Sequence, residues 1–242
     1  MRIHSLVVAA CIGLFTLGTA HAQALACAVP SAIGTPQPVG PSQSEPVQKV
    51  PVGGYTLSLS WSPQFCRTAT GADLDFQCHS AARFGFVLHG LWPDGRGDGP
   101  PPQFCRPAKL LPSKVLRANM CMSPSVDLLQ HEWAKHGTCM SRRPQAYFKA
   151  GRRLFGALAF PDMASLVQKG DLTQRDLRDA FLAANRQLHG LTSAAVRIRT
   201  SRDNWLEEIY VCLDAKMRPG ACRRREPTEQ ELARPLRIWP AR

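Results

Sequence analysis

Three histidines lie in two short segments, Phe86-Val87-Leu88-His89-Gly90-Leu91-Trp92-Pro93-Asp94 and His131-Glu132-Trp133-Ala134-Lys135-His136-Gly137-Thr138-Cys139. On an α-helix, with His131 set at the origin, Lys135 falls about 40° away, Glu132 about 100° and His136 about 140°. Two imidazoles, an ammonium and a carboxylate then share one face, while Trp133 and Ala134 turn toward the core. Such a set suits general acid–base chemistry on a phosphodiester. RNA brings its own nucleophile, the 2′-hydroxyl. The protein must supply a base for that hydroxyl, an acid for the departing 5′-oxygen, and cationic donors for the charge that builds on phosphorus. Imidazoles titrate near ambient pH and serve either role. Each well-placed acid or base contributes about 10²–10⁴-fold in rate.

A zinc site is the first alternative, because His-Glu-x-x-His sets two metal ligands at i and i+4. Here the i+4 residue is Lys135, and the second histidine comes at i+5. An ammonium in the ligand position argues against a metal, and no cofactor is expected. A serine or cysteine nucleophile has no local elbow motif to support it. A single histidine at a strand end, or one His-Glu pair on a helix, is more often structural than catalytic. Like charges crowded at His131, Lys135 and His136 add little stability, so together they call for a functional reason. His79, beside Cys78, and His189, at the end of a helical stretch, read as structural.

The elements that must position these residues follow from pattern. The chain has 242 residues, 30 Lys+Arg against 18 Asp+Glu, and nine cysteines. That length fits one sizeable domain or at most two small ones, and the composition argues against a multi-span membrane protein and general disorder. The +12 charge favours a polyanionic partner or an anionic surface. Residues 1–22 read as a secretory signal: Arg2, an apolar stretch from Leu6 to Leu17, and Ala20-His21-Ala22 at the cleavage site. A lipoprotein site ending at Cys27 is the weaker reading, because Ala24 stands where leucine is usual. Cleavage would take away Arg2 and Cys11, leaving +11 and eight cysteines, an even number that reads as four disulfides in an exported chain.

Residues 23–52 hold six prolines and no aromatic residue, which suggests a linker or mobile arm. The domain at 53–242 opens with a half-buried strand, in which Tyr55, Leu57, Leu59 and Trp61 alternate with Thr56, Ser58 and Ser60. Arg83 to His89 reads as a buried strand running into a Gly/Pro-rich loop from Gly90 to Pro102, which puts His89 at the strand end. Asp127 to His136 has helical composition, with Gly137 as its C-cap. Thr173 to Leu188 is the clearest helix, capped by Thr173 and Asp176 and closed by Gly190. Ala195–Arg199 and Ile209–Leu213 read as strands. The fold expected is α+β, with a mainly antiparallel central sheet and packed helices. Arg223-Arg224-Arg225 reads first as a solvated face and second as an RNA track.

At His-Gly-Leu-Trp-Pro, residues 89–93, and His-Glu-Trp-x-Lys-His-Gly-Thr-Cys, residues 131–139, the chain resembles the T2 family of secreted ribonucleases. The resemblance runs from about Tyr55 to Cys222. It implies a disulfide-stapled α+β fold and metal-independent endonucleolytic cleavage of RNA through a 2′,3′-cyclic phosphate, opened later to a 3′-phosphate. By resemblance, His136 is the base for the 2′-hydroxyl and His89 the acid for the 5′-oxygen. His131 holds the phosphate, while Glu132 and Lys135 polarise it. Trp92 and Asp94 match positions that contact a base in some relatives, although Trp92 reads equally well as core. Cys66–Cys78, Cys105–Cys139 and Cys212–Cys222 are similar to family bridges, which leaves Cys27 and Cys121 to pair with each other. The partner implied is RNA substrate, with no membrane and no obligate protein partner; the location implied is periplasmic or secreted. A basic RNA-binding protein that acts by contact is the alternative.

Overall fold

A computed structural model of the chain describes residues 24–71 and 74–241. The expected signal segment and Cys11 lie outside the described residues. Among those described, no helix is long and apolar enough to cross a membrane.

The centre is a four-stranded, wholly antiparallel sheet. Strands β1 (Ala24–Ala26) and β3 (Arg83–Phe84) pair separately. The sheet itself is ordered β4-β2-β6-β5, from β2 (Val52–Trp61), β4 (Phe86–Gly95), β5 (Val196–Thr200) and β6 (Leu206–Asp214). The expected α+β antiparallel architecture is therefore present. Because side chains alternate along a strand, Leu57, Leu59 and Trp61 enter the core with Ile209 and Val211, while Thr56, Ser58 and Ser60 share the other face with Tyr210 and Glu208. Helices α5 (Pro144–Gly156) and α7 (Gln174–Ala184) contribute Tyr147, Phe148, Phe155, Leu177 and Phe181 to the same core. Phe160 stacks on Phe86 at 5.0 Å between centroids. The shorter helices are α1 (Ser62–Thr68), α2 (Ser113–Arg117), α3 (Val126–Glu132), α4 (Thr138–Met140), α6 (Met163–Val167) and α8 (Glu229–Leu232).

Three local expectations are corrected. His89 is not at a strand end, because β4 continues through the Gly/Pro-rich stretch to Gly95. β4 is an edge strand, where Pro93 sacrifices no ladder bond that the sheet needs. Gly137 does not cap a helix: its φ and ψ stay helical at −61° and −37°, and the chain runs from α3 through a π-helical turn, Trp133–Gly137, into α4. A Cβ at Gly137 would come within 2.9 Å of Tyr147 Cδ1, so this glycine permits close packing rather than a turn. Helix α7 begins with the expected Thr173–Asp176 capping box but ends at Ala184. There the Asn185 side chain donates to the Phe181 and Ala159 carbonyls and stops the helix.

The Pro-rich arm is laid along the domain rather than left as a mobile linker. Cys27 is bonded to Cys121, Arg117 donates to the Pro30 and Ser31 carbonyls, and Gln37 N–H donates to Asp127. Gln48 and Gln103 exchange two backbone hydrogen bonds. The arm buries few apolar groups, so a disulfide and hydrogen bonds hold it in place of a core of its own. The other three bridges are Cys66–Cys78, Cys105–Cys139 and Cys212–Cys222. Arg225 is paired with Glu231, and Arg223 donates to the Gly97 and Gly99 carbonyls. Much of that arginine run thus staples the tail and a loop.

Candidate active site

The first histidine is aimed by a β-bulge. On one side of it Ser58 pairs with Gly90 and Thr56 with Trp92; on the other Leu59 pairs with Leu88 and Ser60 with Val87. His89 is the extra residue between them. Without the bulge it would stand opposite Leu59, on the core face; with it, the imidazole turns to the polar face. Nδ1 lies 2.6 Å from Glu208 Oε1 and 3.4 Å from Ser60 Oγ, and Nε2 lies 3.7 Å from Glu132 Oε1. Burial disfavours the imidazolium, but the Glu208 hydrogen bond and the Glu132 charge outweigh it, so the pKa of His89 is raised.

The second segment depends on the helix. Ser125 caps α3 by accepting from Leu128 N–H. The following π turn has a specific consequence. Residues five apart diverge by about 140° on a regular α-helix, whereas a π turn is bonded i to i+5 and brings them back toward one line. His131 and His136 accordingly approach to 6.4 Å between ring centroids. Trp133 and Ala134 are buried, as the helical pattern required.

Glu132 is the centre of the site and is only 2% exposed. Trp92 Nε1 donates to its Oε2 at 2.9 Å, and the Tyr147 hydroxyl lies 3.5 Å from the same oxygen while also donating to the Leu91 carbonyl. Burial pushes the Glu132 carboxyl up to about 7, against the opposing pull of His89 and Trp92. Gly90 makes this packing possible, since a Cβ there would sit inside the contact envelope of Glu132 Oε2 and Trp92 Nε1. The Trp92 ring meets His89 edge-on at 5.1 Å and His136 at 5.7 Å. It lies between the two imidazoles.

His136 is buried, and its Nδ1 has no hydrogen-bond partner among the described residues. Burial first, then the charges of Lys135, His131 and His89, push its pKa down to about 2, so it is held neutral. His131 is also lowered, by burial and Lys135, with Glu45 opposing. Lys135 reaches Glu45 of the arm at 2.5 Å. A carboxylate therefore already rests on the ammonium that would face a phosphate. Cys105–Cys139 ties the loop after β4 to the end of this helix, where the Phe104 N–H also donates to the Lys135 carbonyl. Asp94 accepts from Thr56 Oγ1 at 3.0 Å, and its pKa is raised by burial against the pull of Thr56 and Arg223.

The structure thus brings His89, His131, Glu132, Lys135, His136 and Trp92 together, with Asp94 further along the same strand. Donor atoms of His131, Glu132 and His136 lie within 4.8 Å of one another, close enough to consider a cation. The Lys135 ammonium beside them and the Trp92 donor already on Glu132 make the cluster better suited to an oxyanion. Sequence reasoning missed Glu208, Tyr210, Ser60, Tyr147 and Glu45. For Glu208 a signal exists: an acidic residue alternating with Ile209 and Val211 in a strand-like run stands on the face opposite the core.

Fold and site together define a disulfide-stapled α+β protein with a cluster of three histidines around a buried carboxyl at the edge of an antiparallel sheet. Residues 52–222 match the model of the ribonuclease T2 family. The chain belongs to that family. A probable ribonuclease of Haemophilus influenzae is 35% identical over 187 residues, which cover 72% of this chain and 62% of that protein, less than two thirds of its length. A ribonuclease of Aeromonas hydrophila is 44% identical over 163 residues, 66% of this chain and 71% of that one. Among solved structures, RNase NT in complex with 5′-AMP superposes with a TM-score of 0.58 at 18% identity, covering 79% of this chain and 99% of that one. An RNase-related protein from Calystegia sepium gives 0.57 at 22%, covering 73% and 93%. These likenesses establish the fold.

Proposed function

We propose that the chain is an exported, metal-independent endoribonuclease that cleaves RNA by transphosphorylation to 2′,3′-cyclic phosphate ends and then hydrolyses them to 3′-phosphates. The observation that carries the reading is the placement of two imidazoles, His89 and His136, on either side of Trp92 at 5.1 and 5.7 Å and beside the buried Glu132 carboxyl, where His136 is pushed toward neutral and His89 toward the cation. Neutral His136 takes the 2′-hydroxyl proton. The 2′-oxygen bonds to phosphorus, the bond to the 5′-oxygen breaks, and His89 delivers the proton that this oxygen needs. Lys135 and His131 receive the phosphate charge, and Glu132, whose carboxyl burial pushes up to about 7, donates to a phosphoryl oxygen in its protonated form. In the second step water replaces the 5′-hydroxyl and the two histidines exchange roles. Trp92 acts here by holding Glu132, and Asp94, which accepts from Thr56, is the second residue offered to a base.

Four disulfides support export, toward the periplasm or the medium. The net charge attracts a polyphosphate. Purified protein should digest RNA in excess EDTA with cyclic-phosphate products, and leave DNA intact. His89→Ala and His136→Ala should each abolish the reaction. Salt-dependent RNA retention without new cyclic-phosphate ends would overturn the proposal in favour of an RNA-binding protein.

A further inference from the structure

We propose that Glu208 is a positioning residue of this reaction: it locks the imidazole of His89 with Nδ1–H facing inward, so that Nε2–H alone is presented to the leaving 5′-oxygen. The inference rests on the reading of His89 as the general acid. Glu208 lies 119 residues from His89 in sequence, on β6, yet the β2 ladder carries both to one face. Ser60 pairs with Glu208 across one edge of β2, and the bulge delivers His89 across the other. The carboxylate is buried and accepts from every side. Oε1 takes His89 Nδ1 at 2.6 Å, Ser60 Oγ at 3.0 Å and Ser58 Oγ at 3.1 Å. Oε2 takes the Tyr210 hydroxyl at 2.6 Å and Arg199 Nη1 at 2.7 Å.

Five donors on two oxygens leave the group no rotational freedom and no reason to accept a proton. Burial alone would raise its pKa, but these bonds hold it well below the usual carboxylate range. A merely structural ion pair with Arg199 would need only Oε2. Oε1 instead faces His89, whose other nitrogen lies 3.7 Å from Glu132 Oε1. When Nε2 gives up its proton, the neutral ring keeps Nδ1–H on Glu208, so tautomer and orientation persist through the step. A catalytic imidazole held by a buried carboxylate in this way retains both its pose and its preference for the protonated state.

The experiment compares two substrates in wild type, Glu208→Gln and Glu208→Asp. One is a dinucleoside phosphate, whose 5′-alkoxide must be protonated as it leaves. The other is a nucleoside 3′-(4-nitrophenyl phosphate), whose phenolate leaves without a proton. Both variants should lose roughly 10²-fold in kcat on the dinucleotide, with KM little changed, and less than about fivefold on the nitrophenyl ester. Cleavage of the ester also reports that the variant is folded. An equal loss on both substrates, in a variant with a cooperative thermal melt, would overturn the positioning role, as would wild-type kcat on the dinucleotide. If His89→Ala fails equally on both substrates, the assignment of His89 as acid falls instead. If the wild type cleaves neither, the ribonuclease reading itself falls.

Discussion

Gly90→Ala tests the geometry of the site through one methyl group. Gly90 needs no unusual backbone angle; what it provides is space, because Glu132 Oε2 and Trp92 Nε1 occupy the volume that a Cβ would take. The methyl must drive the carboxyl away from the Trp92 donor at 2.9 Å and the Tyr147 hydroxyl at 3.5 Å. Overpacking costs about 1–3 kcal/mol, and a buried carboxyl short of its donors costs about 1–3 kcal/mol more. The sum, about 2–6 kcal/mol, lowers the melting temperature of a chain this size by roughly 4–24 °C. Turnover of a dinucleoside phosphate should fall at least about 10²-fold, because a displacement near 1 Å is enough for that loss. The control is the same substitution in a Glu132→Ala background. With the carboxyl gone and Trp92 free to shift, the added methyl should cost less than about 1 kcal/mol, giving a coupling energy of at least about 1 kcal/mol in urea melts. Equal costs in both backgrounds, or near-normal turnover in Gly90→Ala, would refute the steric argument.

The pH dependence and the bridge between the two histidine segments give further expectations. The working form needs neutral His136 and protonated His89; because the first is pushed down and the second up from 6.5, both coexist over a wide range. A plot of kcat/KM against pH should show a plateau spanning 6.5, with its acid limb well below that value and its alkaline limb above. An acid limb at 6.5 or higher would contradict the burial argument for His136. Replacing both Cys105 and Cys139 by serine opens a loop whose ends are 34 residues apart. It should lower stability by about 4 kcal/mol on the chain-entropy model. A urea midpoint that moves by less than the equivalent of about 1 kcal/mol would show that the Phe104–Lys135 hydrogen bond already holds the segment.

The sequence by itself determined which chemistry is present and which faces of the regular elements are apolar. The period of Leu57, Leu59 and Trp61 marked the core side of β2, Thr173 and Asp176 marked the start of α7, and the eight cysteines after residue 22 marked a cross-linked domain. These signals are local, carried by neighbours along the chain, and they survive in almost any tertiary setting. The two histidine segments were legible for the same reason, since each packs its chemistry into nine residues. Only the tertiary structure decided the orientation of that chemistry. The bulge that turns His89 away from the core depends on its register against β2, and the π turn that aligns His136 with His131 departs from the helical period that a pattern assumes. The docking of the arm rests on the Cys27–Cys121 bridge and on hydrogen bonds between residues far apart in sequence, which no local pattern announces. Glu208 meets His89 because two strands far apart in sequence pair with opposite edges of a third. Cross-strand register is a property of pairing rather than of either strand alone, so the partner of the first histidine becomes visible only once the sheet is assembled.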